Sequence, residues 1–239
     1  MKKALITWGG WEGHEPDKVA RLFEGVLSRN GYEVEVYDSL DCFDDAEALK
    51  SLDLIVPVWT MSKITKEQAV NVSEAVAEGT GLAGCHGGMC DAFREQVVWQ
   101  FMTGANWVAH PGGDGVKYSV NIVDHDHPTT KGIADFEVAT EQYYLHVDPA
   151  NHVLATTTFP TVPWYHSPNG EAVMPVAWTR KWGRGRVYYN ALGHKENVIS
   201  SGPALEMLTR GLLWAGEGYA LREQSGIDLA ALRTVGSHF

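Results

Sequence analysis

The chain has few cysteines, an excess of acidic over basic residues, and no long apolar run. Its 239 residues include three cysteines and 19 basic against 30 acidic residues, a formal net charge of −11 at pH 7. Three cysteines exclude a disulfide framework, and Cys85 and Cys90 lack the second pair that a structural zinc site needs. The acidic balance argues against nucleic acid and against an anionic membrane surface as partners. Metal cations and neutral polar ligands remain compatible.

The N-terminus lacks the features of a targeting segment. Met1-Lys2-Lys3 leads directly into a strand-like segment, so we expect no signal peptide, no membrane span and a cytoplasmic protein. We expect one α/β domain over residues 1–217, with 104–150 as an elaboration and 218–239 as a C-terminal tail. The surface is free to form a homo-oligomer, but no segment requires one.

Strands and helices alternate through roughly the first hundred residues, which predicts a parallel sheet with helices on both faces. The predicted strands are Ala4–Trp8, Glu33–Tyr37, Leu54–Trp59 and Leu82–Cys85. The predicted helices are Asp17–Asn30, Ala46–Leu52, Thr65–Glu78 and Asp91–Met102. Ligands bind beyond the carboxyl ends of such strands, so the loops Gly9–Pro16 and Thr60–Ile64 should converge with the turn after the fourth strand. Pro57 should interrupt the pairing of the third strand.

The second half of the chain is richer in strand signals. The predicted strands are Tyr118–Val123, Phe136–Val138, His152–Thr158, Val173–Thr179 and Gly185–Leu192. A basic turn over Lys181–Arg186 predicts a hairpin, and Pro203–Ala215 predicts a closing amphipathic helix.

The segment Gly81–Gly88, with the sequence GLAGCHGG, is the most informative stretch of the chain. Its G-x-H-x-G spacing is that of a nucleophile elbow, in which small residues allow a strained strand-to-helix turn to present one side chain. Cys85 lies one position too early to be that side chain. The elbow therefore presents His86, and an imidazole binds a metal or moves protons more often than it forms acyl intermediates.

Other polar segments supply further candidates. His14 lies in the loop before the first helix, and Glu141 opens a segment with phenols and an imidazole. His194-Lys195-Glu196 places both ionisable side chains on one side of an extended segment, so the carboxylate could support the imidazole. His125 and His127 have the spacing of a metal clip, but the Pro-Thr-Thr-Lys-Gly that follows favours an ordinary turn.

Together these motifs resemble the ThuA-like (trehalose utilisation) family of the class I glutamine amidotransferase-like superfamily. The resemblance covers about residues 3 to 215 and rests on the order and spacing of four blocks. These are Gly84-Cys85-His86-Gly87, His127-Pro128 with Gly132-Ile133, Glu141-Gln142-Tyr143, and Trp182–Tyr189 leading to Gly193-His194. It implies a flavodoxin-like parallel sheet with helices on both faces and a β-rich insertion.

The resemblance also bears on the chemistry. Amidotransferases of the superfamily carry a cysteine at the elbow and a His-x-Glu pair elsewhere. Here His194-Lys195-Glu196 retains the pair while His86 occupies the elbow, so hydrolysis of glutamine through a thioester is not expected. The family is associated with disaccharide catabolism, notably of keto sugars made by a partner dehydrogenase, which implies a small carbohydrate substrate.

His14, His86 and Glu141 come from loops that this fold brings together, and they suit Zn²⁺ or a similar divalent ion. Such an ion could chelate a ketone and its neighbouring hydroxyl and favour enolisation, which would support isomerisation, elimination or hydrolysis of a keto sugar. We expect His194, oriented by Glu196, to move the proton. His146 is a second candidate for that role. Three aromatic residues are expected to stack on the sugar: Trp8, Trp59 and Tyr143.

Two other functions stay open from the sequence. The first is a non-catalytic carbohydrate-binding or regulatory protein that retains the pocket without the chemistry. The second is an amidotransferase-like hydrolase that uses Cys85, against which insensitivity to iodoacetamide would count.

Overall fold

A nine-stranded mixed sheet organises the protein, which the computed structural model describes over residues 1–233. The strand order is β2-β1-β3-β4-β11-β10-β9-β6-β7, while β5 and β8 pair separately. The strands are β1 (Lys2–Gly10), β2 (Tyr32–Tyr37), β3 (Leu54–Thr60), β4 (Gly81–Cys85), β5 (Ala105–Ala109), β6 (Val116–Ile122), β7 (Phe136–Thr140), β8 (Tyr144–Val147), β9 (His152–Phe159), β10 (Ala172–Trp182) and β11 (Gly185–Asn190).

The sheet has a parallel half and an antiparallel half. Strands β2, β1, β3, β4 and β11 pair in parallel, and β10, β9, β6 and β7 continue the sheet antiparallel. Helices flank the sheet, and β3 and β4 are almost entirely buried, as their continuous apolar sequences require. The predicted flavodoxin-like sheet with a β-rich addition is therefore confirmed.

The predicted interruption of β3 at Pro57 occurs on one side of the strand only. Pairing of β3 with β4 ends at Ile55 opposite Leu82, two residues before Pro57, whereas its pairing with β1 continues through Pro57 to Thr60. The basic turn closes the β10–β11 hairpin, with Trp182 opposite Gly185. Loss of the β3–β4 pairing leaves space beside β3 for the turn that follows β4, and this turn carries the candidate site.

The helices follow the predicted order with two differences. They are α1 (Pro16–Arg29), α2 (Ala46–Lys50), α3 (Lys66–Glu78), α4 (Gly87–Cys90), α5 (Val97–Thr103), α6 (Glu196–Ile199), α7 (Gly202–Leu221) and α8 (Leu229–Arg233). Over residues 1–233, no helix combines the length and the apolarity needed to cross a membrane.

The first difference concerns the predicted helix Asp91–Met102. The backbone carbonyls of Asp91 and Ala92 accept hydrogen bonds from the amides of Met61 and Ser62, each at 2.8 Å. These carbonyls are therefore not available to a helical ladder, and the chain forms α4 and α5 with an irregular segment between them.

The second difference concerns the C-terminus. The closing helix continues to Leu221, beyond the predicted end at Ala215, so the tail drawn from residue 218 begins inside α7. Helix α8 follows within the same tail, and residues 234–239 of that predicted tail lie outside the described residues.

Candidate metal and substrate site

The turn after β4 has the geometry of the predicted elbow. His86 adopts φ 51° and ψ −140°, a strained backbone conformation for a residue with a side chain. Its amide donates to the carbonyl of Asn190 at 2.7 Å, and the buried hydroxyl of Tyr189 donates to its carbonyl at 3.1 Å. These bonds from β11 hold the strained residue in place, so the imidazole is presented by a rigid turn.

Gly87 is required at the next position because another loop packs directly on it. A Cβ placed at Gly87 would lie 2.7 Å from His14 Cε1 and 2.7 Å from Thr60 Cγ2. The glycine therefore allows the loop after β1 and the end of β3 to approach the elbow. This confirms the predicted convergence of the loops Gly9–Pro16 and Thr60–Ile64 with the elbow.

Four buried side chains meet at this point: His14, His86, Glu141 and His194. Each offers one ligand atom, and these atoms all lie within 4.8 Å of one another. Glu141 Oε2 lies 3.2 Å from His86 Nε2 and 3.2 Å from His194 Nδ1. The three residues predicted as metal ligands are thus brought together, and His194 joins them.

The hydrogen bonds behind the imidazoles fix which nitrogen faces the cluster. His86 Nδ1 lies 2.8 Å from the carbonyl oxygen of Ala191, which can only accept, so Nδ1 carries the hydrogen. His86 Nε2 then presents a lone pair to Glu141. His14 Nδ1 lies 2.9 Å from the Thr60 hydroxyl. This contact occupies Nδ1 and leaves Nε2 as the other ring nitrogen that could bind a metal ion. A backbone or hydroxyl partner on the far nitrogen is the usual support of a metal-ligating histidine.

The charges of these groups fit a cation. Burial and the neighbouring imidazoles of His86 and His194 lower the pKa of His14 to about 2. Burial also lowers the pKa of His86, outweighing the opposing contacts with Glu141 and Ala191. Although burial favours its neutral form, contacts with His194 and His86 hold the pKa of Glu141 below its usual value. A metal ion bound between a neutral imidazole nitrogen and a carboxylate would accept an electron pair from each of them.

His194 supplies a further unsatisfied atom. Its Nδ1 is buried and, despite its distance of 3.2 Å from Glu141 Oε2, has no hydrogen-bond partner among the described residues. Its Nε2 lies 3.5 Å from Asp114 Oδ2. A buried nitrogen that has no hydrogen-bond partner and faces a carboxylate and two imidazoles is suited to coordinate a metal ion or to accept a proton at this centre.

A cavity of about 230 Å³ opens onto the cluster. Its walls carry three aromatic side chains and the Asp91–Arg94 ion pair, and the lining residues are Trp11, His14, Met61, Asp91, Arg94, Trp107, His110, Glu141 and Tyr143. The ring of Tyr143 stacks on His86 with centroids 3.8 Å apart. Of the three predicted sugar-stacking residues, Tyr143 lines this cavity. Trp8 and Trp59 are half-buried and pack against the core.

The remaining predicted site residues lie elsewhere. His146 is exposed on β8, where it pairs with Asn106 of β5 and lines a different surface. Glu196 begins α6, and within residues 1–233 the carboxylates within 4 Å of His194 are Glu141 and Asp114. The H-x-E spacing therefore does not place Glu196 behind His194, because the chain turns into α6 directly after Lys195.

The turn prediction at His127 agrees with the structure. Its amide donates to Asp124 Oδ1 at 3.0 Å and its Nδ1 lies 2.8 Å from the hydroxyl of Thr129. His127 is not part of the four-residue cluster.

Sequence reasoning did not identify Trp11, Arg94, His110 and Asp114. Trp11 belongs to a loop that the sequence placed at the site, and its exposed indole lies with its centroid 4.7 Å from that of His14. His110 and Asp114 share a glycine-rich segment after β5, and His110 Nε2 lies 3.7 Å from Glu141 Oε1. No local motif links that segment to the elbow.

Cys85 is not arranged as a nucleophile. Its side chain is fully buried, and burial raises the pKa of the thiol to about 12. A Cβ on Gly193 would lie 2.8 Å from its sulfur, so the thiol is packed under the loop that carries His194. The protonated, enclosed thiol does not suit nucleophilic attack.

Comparison with known families identifies one family over most of the chain. The profile of the ThuA family, described as trehalose utilisation, matches residues 3–215. The chain belongs to the ThuA family. A comparison with curated proteins returns no match.

Solved structures of ThuA-like proteins share the fold of this ThuA family member. A ThuA-like protein from Bacteroides uniformis is 18% identical, with a TM-score of 0.74 over 90% of this chain and 91% of its own. Another from Parabacteroides merdae is 19% identical, with a TM-score of 0.68 over 91% and 90%. A cytoplasmic protein from Salmonella typhimurium LT2 is 15% identical, with a TM-score of 0.61 over 92% and 99%. At these identities the likeness concerns the fold alone.

Proposed function

We propose that this ThuA family member is a metal-assisted enzyme that acts on an oxidised sugar by proton abstraction, leading to isomerisation, elimination or hydrolysis. The observation that carries the proposal is the buried cluster at the floor of the cavity. Its four possible ligand atoms lie within 4.8 Å of one another, and the hydrogen bond from His86 Nδ1 to the carbonyl of Ala191 leaves His86 Nε2 facing the carboxylate of Glu141. The buried thiol of Cys85 argues against an amidotransferase-like reaction.

His14, His86 and Glu141 would hold a divalent ion, with Zn²⁺ the best match to two imidazoles and a carboxylate. When bound, such an ion supplies Lewis acidity to a ketone oxygen and its neighbouring hydroxyl. The carbonyl of Ala191 would orient the imidazole of His86 by accepting from its Nδ1, and the contact of the Thr60 hydroxyl with His14 Nδ1 would orient the second imidazole.

His194 would move the proton. Its Nδ1 faces the centre, and Asp114, whose Oδ2 lies 3.5 Å from His194 Nε2 and accepts from Lys195 Nζ at 2.8 Å, would take the role that the sequence assigned to Glu196. A carboxylate behind an imidazole fixes the tautomer and stabilises the protonated form. The aromatic faces of Trp11 and Tyr143 would border the sugar ring and exclude water. A sugar dehydrogenase, the partner that the resemblance to the family implies, is the proposed source of the keto substrate.

The test is consumption of a keto-disaccharide by purified protein, with and without a chelator. Turnover that the chelator abolishes and Zn²⁺ restores supports the proposal, and turnover by His194→Ala at the parent rate contradicts the role of His194. The second candidate function is a non-catalytic carbohydrate-binding protein, favoured by the aromatic walls of the cavity. It predicts binding heat with no product.

A further inference from the structure

One histidine on the wall of the cavity lies outside the proposed metal ligands. His110 lines the cavity with its side chain 37% exposed, and its Nε2 lies 3.7 Å from Glu141 Oε1. That distance is too long for a hydrogen bond, so Nε2 remains available to a ligand in the cavity. His110 is also outside the four-residue cluster, and the proposed function gives its imidazole no role.

The ring of His110 is held in place by its surroundings. It lies nearly parallel to the ring of Tyr143, with an interplanar angle of 21° and centroids 6.3 Å apart, and its centroid lies 5.4 Å from that of Trp107. The amide of Gly113 donates to the carbonyl of His110 at 2.9 Å and closes a turn behind it. A side chain fixed in this way can act at a defined point of the cavity.

His110 and His194 face different oxygens of Glu141 at different depths. His194 Nδ1 lies 3.2 Å from Oε2 and its side chain is 4% exposed, whereas His110 faces Oε1. Of these two histidines, His110 is the one that lines the cavity. His194 can therefore reach atoms held at the cluster itself, and His110 can reach atoms that lie further out.

The other titratable groups of the wall are poorly suited to give a proton to a ligand. Arg94 donates through Nε and Nη2 to Asp91, and a guanidinium keeps its protons. Burial raises the pKa of Tyr143 well above its usual value, so its phenol is a weak acid. Outside the proposed ligands, and within residues 1–233, His110 is the lining group best suited to proton transfer near neutral pH.

Two imidazoles at different depths favour one of the proposed reactions over the others. Isomerisation moves a proton between neighbouring atoms, and a single base can carry it. Direct hydrolysis of a glycoside usually needs two carboxyl groups, but Asp91 is paired with Arg94 and Glu141 is a proposed ligand. Elimination needs a base at the carbon next to the ketone and a separate acid at the leaving oxygen, one carbon further away.

Resting on the proposed function, we infer that His110 is a second catalytic residue, the acid of an elimination. His194 removes the hydrogen from the carbon next to the ketone, and the electron pair of that C–H bond forms a C=C bond. The C–O bond on the following carbon breaks, and the leaving oxygen keeps its electron pair and takes the proton of His110 Nε2. The products are an unsaturated ketone and an alcohol, and no oxidant or reductant is consumed.

Both imidazoles can return to their starting states. Solvent reaches the exposed ring of His110 and restores its proton. His194 can release its proton towards Asp114, whose carboxylate lies 3.5 Å from Nε2 and is 45% exposed.

The test uses two 3-keto-glucosides that differ in the leaving group, methanol or 4-nitrophenol. Methoxide must be protonated as it leaves, whereas 4-nitrophenoxide is a stable anion and needs no acid. On the full chain loaded with Zn²⁺, we expect His110→Asn to lower turnover of the methyl compound by about 10²- to 10⁴-fold and that of the nitrophenyl compound by less than about tenfold. His194→Asn should lower the turnover of both.

His125→Asn, on the exposed turn after β6, is the matched control and should keep both parent rates. If His110→Asn does not fold, His110→Gln gives the same comparison. Competition with a chelator should show the parent affinity for Zn²⁺ in either variant, because His110 lies outside the cluster.

An equal loss on both compounds, parent rates on both, or weakened Zn²⁺ binding in the His110 variants overturns the inference. Proton NMR should identify the unsaturated ketone in the parent reaction. An isomer with its alcohol still attached, or a free keto sugar without the unsaturated ketone, overturns the inference while the proposed function stands. If the parent consumes neither compound with or without Zn²⁺, the proposed function fails and the inference fails with it.

Discussion

Replacing Gly87 by alanine tests whether the elbow and the loop after β1 form one metal site. The added Cβ would lie 2.7 Å from His14 Cε1 and 2.9 Å from its Nδ1, against about 3.4 Å for ordinary contact. The His14 ring must therefore move by about 0.7 Å, while metal–ligand distances tolerate only about 0.2 Å. All proposed ligands remain in the chain, so any loss of affinity comes from their positions.

We expect Gly87→Ala to weaken Zn²⁺ binding by about 10- to 100-fold, the usual effect of disturbing the support of a ligand. Overpacking of the buried contact should also lower the free energy of unfolding by about 1–3 kcal/mol. Competition with a chromogenic chelator measures the affinity, and urea denaturation of the metal-free protein measures the stability.

Gly25→Ala is the matched control. Gly25 lies within α1, and the nearest atom to its added Cβ is the flexible end of Arg29 at 3.3 Å. This change should leave Zn²⁺ affinity unaltered and raise stability by up to about 1 kcal/mol. Wild-type affinity in Gly87→Ala, or an equal loss in Gly25→Ala, would show that Gly87 does not set the position of His14 in a metal site.

Three further predictions follow from the site. At a free Zn²⁺ concentration 100 times the dissociation constant, bound Zn²⁺ should stabilise the fold by about 2.7 kcal/mol. This appears as a rise of several degrees in Tm that excess chelator reverses. An unchanged Tm would contradict binding of Zn²⁺ to the folded protein. Tyr189→Phe removes the hydrogen bond to the carbonyl of His86 and should cost about 1 kcal/mol in urea denaturation, and a neutral effect would show that this bond does not hold the elbow. Because burial raises the pKa of Cys85 to about 12, iodoacetamide should not alkylate Cys85 in the native protein at pH 8. The denatured chain should be alkylated there, and peptide mass spectrometry distinguishes the two. Labelling of Cys85 in the native protein would make it a candidate nucleophile again.

Much of the fold could be predicted because its signals are local. Apolar runs such as Leu54–Thr60 identify buried parallel strands, and the glycines around His86 identify a strained turn. The predicted helix over Asp91–Met102 was wrong because its first carbonyls pair with Met61 and Ser62, a contact between distant segments. Apolar spacing carries no information about such a contact.

The site was predictable where its residues follow strands of the parallel sheet. His14 and His86 do so, and Glu141 was linked to them through the family motif. Asp114 and His110 come from the segment between β5 and β6, whose path across the site depends on how the β-rich half packs. The H-x-E spacing indicated Glu196 as the partner of His194, but spacing along an extended segment does not apply where α6 begins. Asp114 Oδ2 lies 3.5 Å from His194 Nε2 instead, and it accepts a hydrogen bond from Lys195 Nζ at 2.8 Å.

We propose that His14, His86 and Glu141 hold a divalent ion at the elbow. Elemental analysis of the purified protein and of His86→Ala, after exposure to Zn²⁺ and removal of free ion, tests it most directly. We expect about one ion per chain in the parent and far less than one in the variant, with the variant still folded by circular dichroism. One tightly held ion per chain in folded His86→Ala would contradict it.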